Sequence, residues 1–170
     1  MKDIRPTSGR VMSALFSILG EAADGAEFLD LFAGTGRVGI EALRRGAKRA
    51  VFVESVKNRA DDIKRSLKDS DANIVLSLEV RRALSWLVKH DMRFTVIFAD
   101  PPYSSGWCDS LPALPNLDAV FSPGALMVIE HSTREPLTLS NNPHNLTITS
   151  TREYGETCLT FLQIERKESF

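Results

Sequence analysis

Two cysteines in 170 residues, Cys108 and Cys158, are too few and too far apart for a disulfide framework or a zinc cluster. They read as structural thiols of a reducing compartment, and cytoplasmic residence is the expectation. Three histidines, His90, His131 and His144, fall in no ligand spacing, so no metal site is expected. No apolar run is long enough to span a bilayer, and the amino terminus has no signal-peptide hydrophobic region. Neither sign of charge dominates: 21 Lys+Arg against 22 Asp+Glu leave a net charge of −1, which gives no overall pull on nucleic acid. The distribution is uneven, however. Residues 1–100 carry 17 basic and 14 acidic side chains, and residues 101–170 carry 4 and 8. Most basic side chains, such as Arg44, Arg45, Lys48 and Arg49, are expected on solvated helix faces. Those at the amino terminus, Arg5 and Arg10 among them, are placed to neutralise phosphates.

A hydrophobic fraction of 43% and a charged fraction of 25% are ordinary for a globular chain of one domain. With no repeat or linker in view, residues 1–170 read as one domain. Thr7 or Ser8 can cap a first helix, whose stripe is Val11, Leu15 and Leu19 with Met12 and Phe16 beside it. Strands are then expected at 28–33, 50–54, near 73–77, 94–99 and 125–130, alternating with helices at 36–45, 56–68 and 82–90. Pro112 and Pro115 break the region after 103 into short pieces, and Pro123-Gly124 announces the strand at 125. Leu146–Glu153 and Thr157–Glu165, joined by Tyr154-Gly155-Glu156, read as an antiparallel hairpin. The expected fold class is α/β, Rossmann-like: a mostly parallel, doubly wound sheet ending in an antiparallel hairpin.

Gly34, Gly36 and Gly39 match the G-x-G-x-x-G pattern of dinucleotide-binding turns. Alone the match is weak, because any tight strand-to-helix turn recruits glycine. Asp30 adds to it. A carboxylate inside the strand before the turn is costly to bury without a cationic or hydrogen-bonding partner; an amino-acid ammonium would suit it, whereas a pyrophosphate would be repelled. Glu54, closing the next strand about twenty residues after the glycines, stands where an acid can take both ribose hydroxyls. An ammonium acid and a ribose acid on one nucleotide fold suggest S-adenosylmethionine.

Asp100-Pro101-Pro102-Tyr103 follows the apolar run Phe94–Ala99, at the carboxyl end of a strand where open α/β sheets build their sites. Two prolines fix φ twice and supply carbonyls whose own nitrogens cannot donate. A carboxylate, a free carbonyl and an aromatic face in one rigid turn suit a planar exocyclic amine. The carboxylate and carbonyl accept its two N–H groups, and the ring stacks on the base.

Glycine loop, ribose acid and Asp-Pro-Pro-Tyr, in that order, look like the S-adenosylmethionine-dependent amino-methyltransferases. The opening Arg5-Pro6-Thr7-Ser8-Gly9-Arg10-Val11-Met12-Ser13-Ala14-Leu15-Phe16, with Leu29–Gly34 and Tyr154-Gly155-Glu156-Thr157, resembles the bacterial small-subunit ribosomal RNA guanine-N(2) methyltransferases, the RsmD family. The similarity runs from Arg5 to about Glu165. It implies an S-adenosylmethionine site on Asp30, Phe32, Ala33, Gly34, Thr35 and Gly36. Glu54 and Ser55 would add the ribose side, and Arg82 would stand at the adenine, with Glu79 as a substitute. Catalysis would fall to Asp100, Pro101, Pro102 and Tyr103. Arg5, Thr7, Arg10 and Trp107 would meet RNA, or residues 1–20 would form a lid over the cofactor. Ser104–Trp107 would close over substrate. Ribosomal RNA of the small subunit is the implied partner, with the enzyme a monomer. Members usually carry a basic, strand-rich arm before Arg-Pro-Thr, and here four residues precede Arg5. Two readings compete with this one: an amine methyltransferase acting on tRNA, DNA adenine or a small molecule, and a non-catalytic nucleotide-binding module.

Overall fold

The computed structural model describes residues 7–67 and 71–165. Its centre is one seven-stranded sheet: β1 (Glu27–Asp30), β2 (Arg49–Val53), β3 (Ile74–Leu76), β4 (Phe94–Ala99), β5 (Phe121–Ser132), β6 (Leu146–Tyr154) and β7 (Thr157–Ile164). The spatial order is β3-β2-β1-β4-β5-β7-β6. The first five strands pair in parallel, and β7 lies antiparallel between β5 and β6. Between the parallel strands run α2 (Arg37–Arg44), α3 (Lys57–Ser66) and α4 (Val80–Lys89), after α1 (Gly9–Leu19) and before the single turn α5 (Trp107–Ser110). No helix of the described residues is long and apolar enough to cross a membrane.

Alternation along the strands supplies both faces of the core. Leu29, Ile97 and Ala99 pack on one side, while Phe28, Val96 and Phe98 pack on the other. Continuous apolar runs are what strands covered on both faces require. Strand β5 departs from expectation: it begins at Phe121 and runs through Pro123-Gly124 rather than after them. The register jumps there, from Phe94 opposite Phe121 to Val96 opposite Leu126. The extra residues bulge out at exposed Pro123 and Gly124, where φ of Gly124 is +75°. A bulge accommodates a proline that a regular ladder would reject.

Helix α1 carries the expected stripe, with Val11, Leu15, Phe16 and Leu19 buried against Phe28 and Phe161. Its cap is Ser8, whose hydroxyl accepts from the Val11 amide at 3.2 Å. Thr7 is buried and turns inward instead.

The three glycines of the turn do different things. Gly34 and Gly36 hold φ of +58° and +80°, which few L side chains tolerate. Gly39 lies inside α2, and a β-carbon there would stand 2.4 Å from the Phe52 ring, itself fully buried in β2. Helix propensity alone would favour alanine by about 1 kcal/mol; overpacking a rigid core costs about 1–3 kcal/mol. Gly39→Ala is therefore expected to lower stability by about 1–2 kcal/mol, read as a lower urea midpoint. A raised midpoint would show that α2 can step away from the sheet.

Candidate active site

The carboxyl ends of the parallel strands open into one cavity of about 830 Å³. Its walls are the turn after β1, Glu54-Ser55-Val56 after β2, Leu78-Glu79-Val80 at the start of α4, and Asp100–Tyr103 after β4. Thr7 and Trp107 complete the rim. Among the residues read from sequence, Asp30, Phe32, Ala33, Gly34, Thr35, Glu54 and Ser55 line this cavity. So do the whole Asp-Pro-Pro-Tyr turn, Thr7 and Trp107.

Others stand apart. Gly36 does not line the cavity: it packs on Ile63 and donates its N–H to the Ala33 carbonyl at 2.7 Å, so it shapes the turn from behind. Arg82 is exposed on the outer face of α4 and away from the cavity, because its neighbours Val80, Ala83 and Leu84 take the buried face. Leu78 and Glu79 occupy the position expected of it. Arg10 is exposed beyond the rim. Arg5 lies outside the described residues.

Asp30 is 1% exposed, and its Oδ1 has no hydrogen-bond partner among the described residues. Burial raises its pKa from 3.8 to about 7. The backbone N–H groups of Gly39 and Phe32 pull the other way, and nearby Glu54 and Glu130 add to the rise. An acceptor left unmatched in a cavity wall suits a cationic donor. Glu54 is already engaged. Its Oε2 accepts from the Gly34 amide at 2.8 Å, and its Oε1 accepts from the Val56 amide at 3.1 Å, with Arg59 at 3.8 Å. Each carboxylate oxygen has a second lone pair, so the clamp on the glycine loop leaves room for two hydroxyl donors.

Asp100 lies close to two further acids. Burial and the charges of Glu130 and Asp30 hold its pKa well above the ordinary carboxylate range. Glu130, on β5, is 4% exposed, accepts from the Thr7 hydroxyl at 3.0 Å, and is itself raised by burial. Sequence reasoning passed over Glu130. The available signal was a pattern: Asp30, Glu54, Asp100 and Glu130 each stand at or near the carboxyl end of an apolar strand.

The aromatic side is built from Tyr103, 38% exposed at the rim, and Trp107, which meets the Phe32 ring edge-on at 5.2 Å. Arg81 stacks over Trp107 at 5.9 Å. The segment expected to close over substrate is fastened in place. The Ser104 amide donates to Glu135 Oε1 at 2.5 Å, and the Ser105 hydroxyl donates to the Pro102 carbonyl.

Strand order, glycine turn and the acids at the strand ends define a Rossmann-like methyltransferase fold of class I. A Thermus thermophilus 16S rRNA N2 G1207 methyltransferase solved with AdoMet and guanosine superposes with a TM-score of 0.67 at 24% identity. The match covers 96% of this chain and 44% of that one, and it is a likeness of fold. Residues 1–163 match the family described as Conserved hypothetical protein 95, and the chain belongs to that family. Ribosomal RNA small subunit methyltransferase D of Haemophilus influenzae is 30% identical over 155 residues, covering 89% of this chain and 79% of the relative. A Bacillus subtilis protein, YlbH, provisionally named as an rRNA methyltransferase, is 33% identical over 156 residues, covering 90% and 84%. The resemblance carried by the Arg-Pro-Thr opening therefore holds at the level of sequence family.

Proposed function

We propose that this chain transfers a methyl group from S-adenosylmethionine to the exocyclic N2 amine of a guanine in small-subunit ribosomal RNA. The observation that carries this is one cavity with two differently placed acids: Asp30, with an unmatched oxygen beside the glycine turn, and Asp100, in the rigid double-proline turn. The names of the ribosomal RNA methyltransferase relatives support the substrate. Residues 1–170 act as a single methyltransferase domain, a monomer working in the cytoplasm without a metal, on RNA of the small subunit.

When bound, S-adenosylmethionine supplies an electrophilic methyl on a sulfonium sulfur. Asp30 holds the ammonium end, Glu54 takes the ribose hydroxyls, and the glycine turn brings backbone close to the ligand. Leu78 and Val56 flank the adenine side, and Glu79 is the acid there in place of Arg82. On the substrate side, Asp100 and the Pro101 carbonyl accept the two N–H groups of the amine. An arylamine lone pair is delocalised into its ring, so fixing the nitrogen's direction matters more than prior deprotonation. Orientation of this kind supplies about 7–11 kcal/mol in the best model reactions. Tyr103 stacks on the base, worth about 1–3 kcal/mol, once that base has swung out of its own stack.

The test is incubation with tritiated S-adenosylmethionine and, separately, small ribosomal subunits, naked ribosomal RNA, tRNA and DNA. Label is expected in small-subunit ribosomal RNA, eluting as N2-methylguanosine after digestion to nucleosides. Label confined to tRNA or DNA would overturn the substrate. Tight NAD binding with no S-adenosylmethionine binding would overturn the class of activity.

A further inference from the structure

We infer that Thr7 and Glu130 form a proton store behind Asp100, the Thr7 hydroxyl relaying to Glu130 the proton that Asp100 takes from the methylated amine. The inference rests on the methyl-transfer reading above. Thr7 and Glu130 stand 123 residues apart in sequence, yet the hydroxyl of one meets the carboxylate of the other at 3.0 Å, and both are buried. Thr7 lines the cavity, whereas Glu130 lies behind it. The same hydroxyl interacts with the carboxyl of Asp100. Its place is fixed on the carboxyl side. Arg37 Nη1 donates to the Thr7 carbonyl at 3.3 Å, and Ser8, the cap of α1, follows immediately.

The chemistry needs such a path. Once the N–CH₃ bond forms and the S–CH₃ bond breaks, the positive charge passes from sulfur to nitrogen, and that nitrogen must lose a proton. Asp100 accepts it and becomes a neutral acid. A hydroxyl has one proton and two lone pairs. Thr7 can therefore take the Asp100 proton on its oxygen while passing its own to Glu130. Asp100 returns to carboxylate, Thr7 is unchanged and Glu130 is protonated; the stored proton later returns through Thr7 and Asp100 to water in the open cavity. Asp30 and Asp100 face Glu130, Asp30 in turn faces Glu54, and the Arg37 guanidinium is held on the Thr7 carbonyl. His131, next on β5, turns the other way to Thr160 Oγ1 at 2.8 Å.

A contact that merely anchored the amino terminus would affect stability and leave the pH profile of the reaction alone. The experiment uses the full chain with Glu130→Gln, Thr7→Val, the double variant and Thr7→Ser. Methylation of small-subunit RNA is followed against pH over many turnovers at saturating cofactor and RNA. In parallel, the Asp100 carboxyl is titrated by ¹³C NMR with no cofactor present. Glu130→Gln and Thr7→Val should each slow the plateau rate about 10²-fold. The double variant should lose little more than either alone, and Thr7→Ser should recover most of what Thr7→Val loses. The Asp100 midpoint should fall in Glu130→Gln, which removes a like charge. A wild-type rate and profile in Glu130→Gln, or losses that multiply in the double variant, would overturn the relay. An unmoved Asp100 midpoint in Glu130→Gln would overturn it without reference to activity. If wild type methylates no RNA, the methyl-transfer reading falls instead, and the titration still judges the pair.

Discussion

Asp100→Ala is expected to slow methyl transfer about 10³-fold or more, roughly 4 kcal/mol of transition-state stabilisation, while the Kd for S-adenosylmethionine changes little. The separation follows from where the two acids stand. Asp30 lies beside the glycine turn; Asp100 lies in the Asp-Pro-Pro-Tyr turn across the cavity. On the proposed reading, loss of Asp100 removes both the acceptor that orients the amine and the base that takes its proton. The raised pKa of Asp100 makes it a stronger base than an exposed aspartate, and the rate should climb with pH as it ionises. Unfolding is not a plausible source of the loss. The variant removes one of three mutually repelling acids, of which Asp30 and Glu130 are buried, so its melting temperature should hold or rise. Equilibrium binding, single-turnover rate and thermal melting on the same preparation check the three parts together. Near-normal turnover in Asp100→Ala would remove this residue from the mechanism, and a collapse of cofactor affinity would place it on the donor side.

Much of this arrangement was legible in the chain itself, because the informative residues violate the pattern around them. Asp30 is an acid that ends one apolar strand, and Asp100 follows another; such residues stand out against continuous burial. The parallel order followed from alternating strand and helix segments, and the terminal hairpin from Tyr154-Gly155-Glu156. Three things were hidden. Glu130 looked like an ordinary strand end, because its partner Thr7 lies at the far end of the sequence. Gly36 and Gly39 share a motif with Gly34, yet they serve turn and packing, which a spacing rule cannot distinguish from contact with a ligand. Arg82 was placed three residues, nearly one helical turn, too far along: the cavity meets Leu78, Glu79 and Val80 at the start of α4, and Arg82 is exposed beyond them. The bulge at Pro123-Gly124 likewise depends on the facing strand β4, whose register no local signal specifies.

Asp30→Asn is expected to weaken S-adenosylmethionine binding about 10²-fold near neutral pH, roughly 3 kcal/mol, and at the same time to stabilise the cofactor-free protein. Both effects come from a buried carboxyl whose Oδ1 has no protein partner among the described residues. Its pKa lies at about 7 in the folded protein against an ordinary value of 3.8. Between those two values the folded chain holds a proton that the unfolded chain has released. Stability from this group is therefore fully present below about pH 4, falls as pH rises toward about 7, and is flat above. The interval is worth about 4 kcal/mol between the two protonation states. A buried asparagine keeps part of the desolvation cost, so a gain of about 1–3 kcal/mol at about pH 8 is expected. Binding has the opposite dependence. An ammonium needs the ionised carboxylate, so below about pH 7 the ligand must displace a proton, and affinity should improve close to tenfold from about pH 5.5 to about pH 6.5. Titration calorimetry in buffers of different ionisation enthalpy should register proton release across that range for wild type and none for Asp30→Asn. If the variant binds S-adenosylmethionine as wild type does, with the same pH dependence, Asp30 does not hold the ammonium. If it binds weakly but melts lower than wild type at about pH 8, the carboxylate is satisfied in the folded protein, and the cavity wall beside the glycine turn has been misassigned.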